Sequence, residues 1–474
     1  MSRRQQLWQL ARTGLSALID LLLRLEEQVR ELRRQVKELK DRLALSSRNS
    51  SKPPSTDGLA KPAPKSLRHK TGRSRGGQPG HPGRTLQPVE QPDHIVLHPL
   101  DRCPCGFCQG RSLRDQPLVG YEKRQVFELP QKPLEVTEHQ AEIKCCPISG
   151  LLVTAGFPER VNAPAQYGPG FRALMIYLNN RQFIPYDRLT ELCEDLFGQP
   201  LSEATIIAAN ERTYEELACF EQRLKVLLPQ APVVHADESG LRVAGKLHWL
   251  HVLSTAQLTF YGVHAKRGTE AVDELDILPR CRNWVVHDHL KAYFTYKDCL
   301  HALCNEHHLR ELKFLYEEHQ EPWAEELSTF LREANQRVQQ EGVLQEKEFK
   351  EAMTFYHALL AKGRQRHPRR QGKGAQSKAA NLLDRLEDYD WSVLAFLFDP
   401  DVPFSNNQAE RDIRMEKVRQ KISGCFRTLK GARIFARLRS YISTCRKQGR
   451  NILEELENAV RGTPFNPSVP TRGP

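Results

Sequence analysis

Two aspartates carry the strongest chemical signal in the chain. Asp237 ends the apolar run of VVHADESGLRV and Asp288 ends that of NWVVHDHL, so each closes a strand-like segment. Carboxylate oxygens are hard ligands suited to Mg2+ or Mn2+. Two such ions, roughly 3.5–4 Å apart, can activate a water or a 3′-hydroxyl and steady the leaving oxygen of a phosphodiester. A third acid is needed, and Glu410 in FSNNQAERDIRMEKVRQK supplies it, just inside a helix expected to start after Asn406 and Asn407. Behind it Arg411, Arg414, Lys417 and Lys421 recur at helical spacing, with Arg427 farther on, as candidate contacts along a nucleic-acid backbone. A lone Asp is usually a solvated charge. Two acids at strand ends plus a Glu on a basic helix are poorly explained that way.

Acids so far apart in sequence need a sheet to bring them together. From residue 231 the runs VVHADESGLRV, KLHWLHVLST and LTFYGVHA read as three strands, TEAVDELDILP as a helix and NWVVHDHL as a further strand. That order opens an RNase H-like α/β fold, in which the first and fourth strands are neighbours and carboxylates 51 positions apart converge. Between Asp288 and Glu410 the chain is mainly helical, as an insertion interrupted by the basic loop GRQRHPRRQGKG. Arg364, Arg366, Arg369 and Arg370 in that region are candidates either for phosphate contacts or for a solvated surface.

The cysteines suggest a different metal. CPCGFC holds Cys103, Cys105 and Cys108, and KCCPISG holds Cys145 and Cys146, with strand-like residues such as Gln125–Leu129 between them. Two thiol-rich knuckles flanking strands read as a zinc ribbon. The second knuckle has Ser149 where a Cys-x-x-Cys pair would put its fourth thiol. Reduced surface thiols are the alternative. Twelve cysteines in 474 residues are too sparse for a disulfide scaffold.

Upstream, Leu18, Leu22, Leu25, Val29, Leu32, Val36, Leu39 and Leu43 alternate four- and three-residue steps, the 3.5-residue repeat of a two-stranded coiled coil. The Ser-, Pro-, Gly- and Lys/Arg-rich stretch that follows has too little to bury and is expected to be a disordered basic tether. RLTELCEDLFGQPLSEATIIAANERTYEEL reads as helix, turn and helix, either a DNA-reading helix-turn-helix or an ordinary helical hairpin. Net charge is +12, with a surplus of +11 in residues 1–90 and +10 in residues 405–450 around a mildly acidic body. Two separated basic regions fit a polyanion held at more than one place, and nucleic acid is the expected partner. There is no run of 18 apolar residues and no cleavable leader pattern, so no membrane association is expected, and the location expected is cytoplasmic and nucleoid-associated.

The stretches VHADESGLRVAGKLHWLHV, VHDHLKAYF, HALCNEHHLRELKFL and FSNNQAERDIRMEKVRQKISGCFRT closely resemble the insertion-sequence-66 family of transposases. The leucine repeat, NSSKPPSTDG, GGQPGHPG and the cysteine module resemble that family too, in its order. The resemblance covers nearly the whole chain. It implies DDE chemistry on DNA at element ends and target, with Asp237, Asp288 and Glu410 as the three acids and two Mg2+ or Mn2+ ions. It also implies accessory proteins encoded by the same element. Cys304-x-x-His307, followed by His308, matches a further block and reads either as a zinc knuckle or as a packed thiol beside a hydrogen-bonded imidazole. The cysteine module departs from the family's two Cys-x-x-Cys pairs, so Zn2+ there is the looser inference.

The resulting expectation is a multidomain α+β chain. It comprises a dimerising coiled-coil helix (1–45), a basic linker (46–90), a zinc-ribbon-like module (91–165), a helical segment (166–230), an RNase H-like core in two parts (231–308 and 401–450), a helical insertion (309–400) and a tail (451–474). A regulator that kept the scaffold without catalysis, and a nuclease that hydrolyses without joining, are the alternatives to a transposase. Three acids count against the first, and a dimerising coil with several DNA-binding segments counts against the second. For the cysteine module, a serine hydroxyl is a poor substitute for thiolate. Ser149→Cys should therefore tighten zinc binding in competition with a chromogenic chelator. Equal affinity of the two forms would assign the fourth ligand to Cys145 instead.

Overall fold

The structure is a computed structural model that describes residues 3–13, 15–45, 49, 88–103, 107, 109–127, 134–145, 147–148, 152–369 and 376–468. It divides into two units, residues 66–160 and the rest of the chain. Helices α1 (Arg3–Thr13) and α2 (Leu15–Ala44) come first. Along α2 the repeat positions Leu22, Val29, Leu32, Val36 and Leu39 are exposed, while Asp41 near its end pairs with His319 at 3.2 Å. The expected helix is present, and its apolar stripe faces solvent within this single chain. Nearly all of the 46–90 linker lies outside the described residues.

The smaller unit holds one short antiparallel pair, β1 (Ile143–Cys145) with β2 (Leu152–Thr154). Cys105, Cys108, Cys146 and Ser149 lie outside the described residues. Cys103 is at the base of a small turn, its N–H donating to the Arg111 carbonyl at 3.0 Å. Gln125–Phe127, expected as strand, is irregular. There the Gln125 side-chain amide takes the role of a pairing partner, accepting from Val89 N–H at 2.8 Å and donating to Val89 O at 2.7 Å.

In the larger unit α3 (Pro169–Ile176), α4 (Tyr186–Phe197), α5 (Glu203–Glu216) and α6 (Ala218–Leu227) precede the sheet strands β3 (Val233–Val243), β4 (Lys246–Ser254) and β5 (Thr259–His264). Then come α7 (Thr269–Leu275), β6 (Trp284–His287) and β7 (Leu300–Leu303). The five-stranded sheet runs β5-β4-β3-β6-β7. Strands β3, β4 and β5 are successive antiparallel neighbours, whereas β6 and β7 run parallel to β3 and to each other. The β3–β4 turn is Ala244–Gly245, both left-handed (φ 49° and 77°), the geometry that a two-residue hairpin requires. Its tip is fastened from outside: Ala244 N–H donates to Phe426 O at 2.8 Å and Phe426 N–H to Arg242 O at 2.9 Å. Strand β7 escaped the sequence reading, because four residues between two cysteines show no alternation to read.

The remaining helices are α8 (Asn305–His319), α9 (Pro322–Glu341), α10 (Glu346–Arg366), α11 (Lys378–Asp388), α12 (Asp390–Leu394), α13 (Asn407–Ser423), α14 (Leu429–Lys447) and α15 (Ile452–Val460). Alternation along β3 sends Leu241 and Val243 to one face, where Ala409 and Ile413 of α13 and Ala432 and Ala436 of α14 cover them. Val234 and Ala236 point the other way, into a core with Leu224, Val272, Tyr441 and Leu456. The expected helical insertion is α8–α12, a separate core around Trp323, Tyr356 and Leu383. Its packing is tight at Gly363, where a Cβ would stand 2.9 Å from both the Trp323 ring and Leu383. Acidic partners engage three arginines of the basic region. Arg364 and Arg369 are paired with Asp384, Glu387 and Asp388 of α11, and Arg366 with Glu321; Arg370 lies outside the described residues. Among the described residues, no helix is long and apolar enough to cross a membrane.

Candidate active site

Sheet register places the two aspartates. Val233, Val234 and His235 of β3 pair with Trp284, Val285 and Val286 of β6, a constant offset of 51. Carried two residues on, that offset sets Asp237 opposite Asp288, just past the last paired residue. Asp288 is held by an Asx turn, its Oδ1 accepting from Leu290 N–H at 2.8 Å. Beneath it His287 is fully buried, with Nε2 3.0 Å from His301 Nδ1. Asp237 Oδ1 accepts from Glu238 N–H at 2.8 Å.

Glu410 lies on α13, one turn after the N-cap residue Asn406, and is near enough to Asp237 to raise its pKa. Asn406 is 2% exposed and connects three elements. Its amide donates to Ala236 O at 2.7 Å, its Oδ1 accepts from His235 Nδ1–H at 2.9 Å, and its backbone N–H points at Cys304 Sγ at 3.2 Å. Burial lowers the pKa of His235, which keeps the imidazole neutral. An orphaned buried polar group costs about 1–3 kcal/mol, so this amide fixes where α13 starts relative to β3. The sequence showed Asn406 only as a helix-start residue.

The acids feel one another. Burial, then Glu238, Asp288 and Glu410, push the Asp237 carboxyl well above its usual range. Glu238, which sequence reasoning passed over, lies on the opposite face of β3. It is raised by burial and by Asp288, against hydrogen bonds from Tyr293 Oη–H (2.5 Å) and from Arg267 Nη2 and Nε (2.6 and 2.9 Å). Arg267 in turn stacks on Trp249, 4.9 Å from the ring centre. Only Asp237 and Glu238 are raised in this way, and a divalent cation beside them would relieve the repulsion they feel from Asp288.

The basic residues of α13 divide into two groups. Arg411 bends back to Asn407 O and Gln408, and Lys417 donates to Gly240 O of β3 at 2.6 Å. Arg414 and Lys421 are exposed, as is Arg427 beyond the helix end. Arg419 is an internal strut, paired with Glu416 at 2.9 Å and lying 3.6 Å from the centre of the Phe426 ring. A second set of ligand-type atoms borders Glu410: Cys304, His307 and Glu410 offer atoms that all lie within 4.8 Å of one another. Burial and Glu410 push the Cys304 thiol up to about 12.

Residues 164–434 match the family described as Transposase IS66 family. The chain belongs to the IS66 transposase family. Residues 4–87 match a family of unknown function, DUF6444, and no curated protein matches the chain. The matched IS66 region contains Asp237, Asp288 and Glu410, and it takes in the whole sheet and the helical insertion.

The pKa of Asp237 has a consequence for stability. A carboxyl whose folded pKa is raised holds its proton more firmly when folded, so its contribution to stability is greatest below the unfolded value of 3.8 and is lost as pH rises through the folded value. Asp237→Asn, which keeps the acceptor for Glu238 N–H, should melt at a higher temperature than the parent at pH 7 in chelator. The gap should close as pH falls toward 4. A lower melting point at pH 7, unchanged by acid, would mean that this carboxylate is not strained.

Proposed function

We propose that this IS66-family chain is a DNA strand-transfer enzyme that works by DDE phosphoryl transfer on an RNase H-like core. The observation that supports the reading is the β3–β6 register that sets Asp237 opposite Asp288, with Asp288 and Glu410 both raising the pKa of Asp237. Strand order β5-β4-β3-β6-β7, with only β4 antiparallel to the rest, supports the RNase H-like assignment.

Asp237, Asp288 and Glu410 would hold two Mg2+ or Mn2+ ions, which supply Lewis acidity toward the phosphodiester and lower the pKa of the attacking hydroxyl. The chain's own part is to keep three mutually repelling carboxylates in one half-buried place. Tyr293 and Arg267 neutralise Glu238 so that it does not compete as a fourth open ligand. The exposed Arg414, Lys421 and Arg427 bind the DNA backbone. Lys417 would have to leave Gly240 O to do so, and Arg411 its own helix.

The α4–α5 hairpin is better read as structural. α4 carries Asp187, Glu191, Glu194 and Asp195 against Arg188, and α5 carries Glu203, Glu211, Glu215 and Glu216 against Arg212, a charge that repels phosphates. Two copies of the chain pair through the exposed apolar stripe of α2, bringing two catalytic cores to paired element ends. The cysteine module and the 46–90 tether add sequence-tolerant contacts.

Removal of one acid should separate binding from chemistry. Asp288→Ala should bind end DNA as the parent does and lose nicking in Mg2+ by at least a thousandfold, as read from a supercoiled plasmid carrying the element ends. Full nicking by this variant would remove Asp288 from the mechanism.

A further inference from the structure

We propose that Cys304, His307 and Glu410 form a second cation site, selective for Zn2+, that shares its carboxylate with the catalytic acids. The proposal rests on the reading of Glu410 above only for its consequence, not for its ligands.

Four observations converge on it. Cys304 is the N-cap residue of α8 and His307 lies in its first turn, so the Cys-x-x-His spacing presents both side chains at one helix start. His307 Nδ1 is 3.8 Å and Cys304 Sγ 4.0 Å from the same oxygen, Glu410 Oε1. The first separation is too long for an N–H···O hydrogen bond. It falls at the upper end of the roughly 3.3–3.8 Å edges of a tetrahedron built on metal–ligand bonds of about 2.0–2.3 Å, and the second, which also admits a weak S–H···O hydrogen bond, is slightly longer. His307 Nδ1 is itself buried without a hydrogen-bond partner. The backbone amide of Asn406 is aimed at Cys304 Sγ at 3.2 Å, and the amides of Glu306 and His307 also bond it, an arrangement suited to a thiolate bound to a metal.

The two sites differ in chemistry. Thiolate and imidazole select Zn2+, whereas the all-oxygen pair Asp237 and Asp288 selects Mg2+ or Mn2+. Both contacts to Glu410 use Oε1, which leaves Oε2 for the aspartates. On binding, the Cys304 thiol gives its proton to solvent and the sulfur takes the cation in its place. The ion then ties the first turn of α13 to that of α8 and fixes the rotamer of Glu410, so it positions a catalytic carboxylate.

Co2+ titration of the full chain, followed by thiolate-to-cobalt charge transfer and by displacement with Zn2+, tests this directly. The cysteine module can also bind cobalt, so the readout is the difference between variants. Cys304→Ser should bind one ion fewer per chain, and His307→Gln should weaken that ion at least tenfold, with both unaffected by millimolar Mg2+. His307 Nδ1 has no hydrogen bond to lose, so His307→Gln decides the matter if Cys304→Ser fails to fold by circular dichroism. Identical stoichiometry, affinity and charge-transfer intensity in the parent and His307→Gln would overturn the proposal and leave Cys304 a packed thiol. Cobalt binding is measured without DNA cleavage, so a failure of the DDE reading would not alter this result.

Discussion

Carboxylates that repel one another cannot be gathered by their own interactions, and in this protein the backbone gathers them. The parallel pairing of β3 with β6 at a fixed offset of 51 residues sets Asp237 against Asp288. The buried amide of Asn406 then locks α13 to Ala236, one residue before Asp237. A one-residue slip of β6 would turn Asp288 to the other face of the sheet. The fully buried His287 under Asp288 and the Asx turn to Leu290 hold that end of β6.

Much of this was legible in the residues. Strands β3, β4 and β5 are long enough to show alternation, and their bounds fall within a residue or two of VVHADESGLRV, KLHWLHVLST and LTFYGVHA. The catalytic candidates were readable as acids that follow apolar runs, although only Asp288 closes its strand: β3 continues to Val243, so Asp237, expected at a strand end, lies mid-strand. Asn406 was not, since an Asn before a helix usually caps its own helix, and only the fold shows its amide bonded to another strand. Glu238 was hidden by its neighbour: adjacent strand residues face opposite ways, and nothing in sequence reveals that both sense Asp288.

Charge was the least reliable guide. Counting Lys and Arg singled out both the GRQRHPRRQGKG region and α13, yet the acids of α11 and Glu321 neutralise Arg364, Arg366 and Arg369. Even on α13, Arg419 and Lys417 serve the fold, by an internal ion pair and a bond to a β3 carbonyl. A basic surplus counts toward a polyanion surface only after internal pairs are removed, and among the residues singled out around α13 the exposed ones proposed for DNA are Arg414, Lys421 and Arg427.

If Asp237, Asp288 and Glu410 together hold two hard divalent ions, anomalous diffraction from crystals soaked in Mn2+ should show two manganese peaks. Each should lie within bonding distance of Asp237 or Asp288, with at least one also bound by Glu410. The same crystals of Asp288→Ala should lose at least one of them. Manganese found only outside this cluster, or a site that leaves out Asp237, would contradict that arrangement.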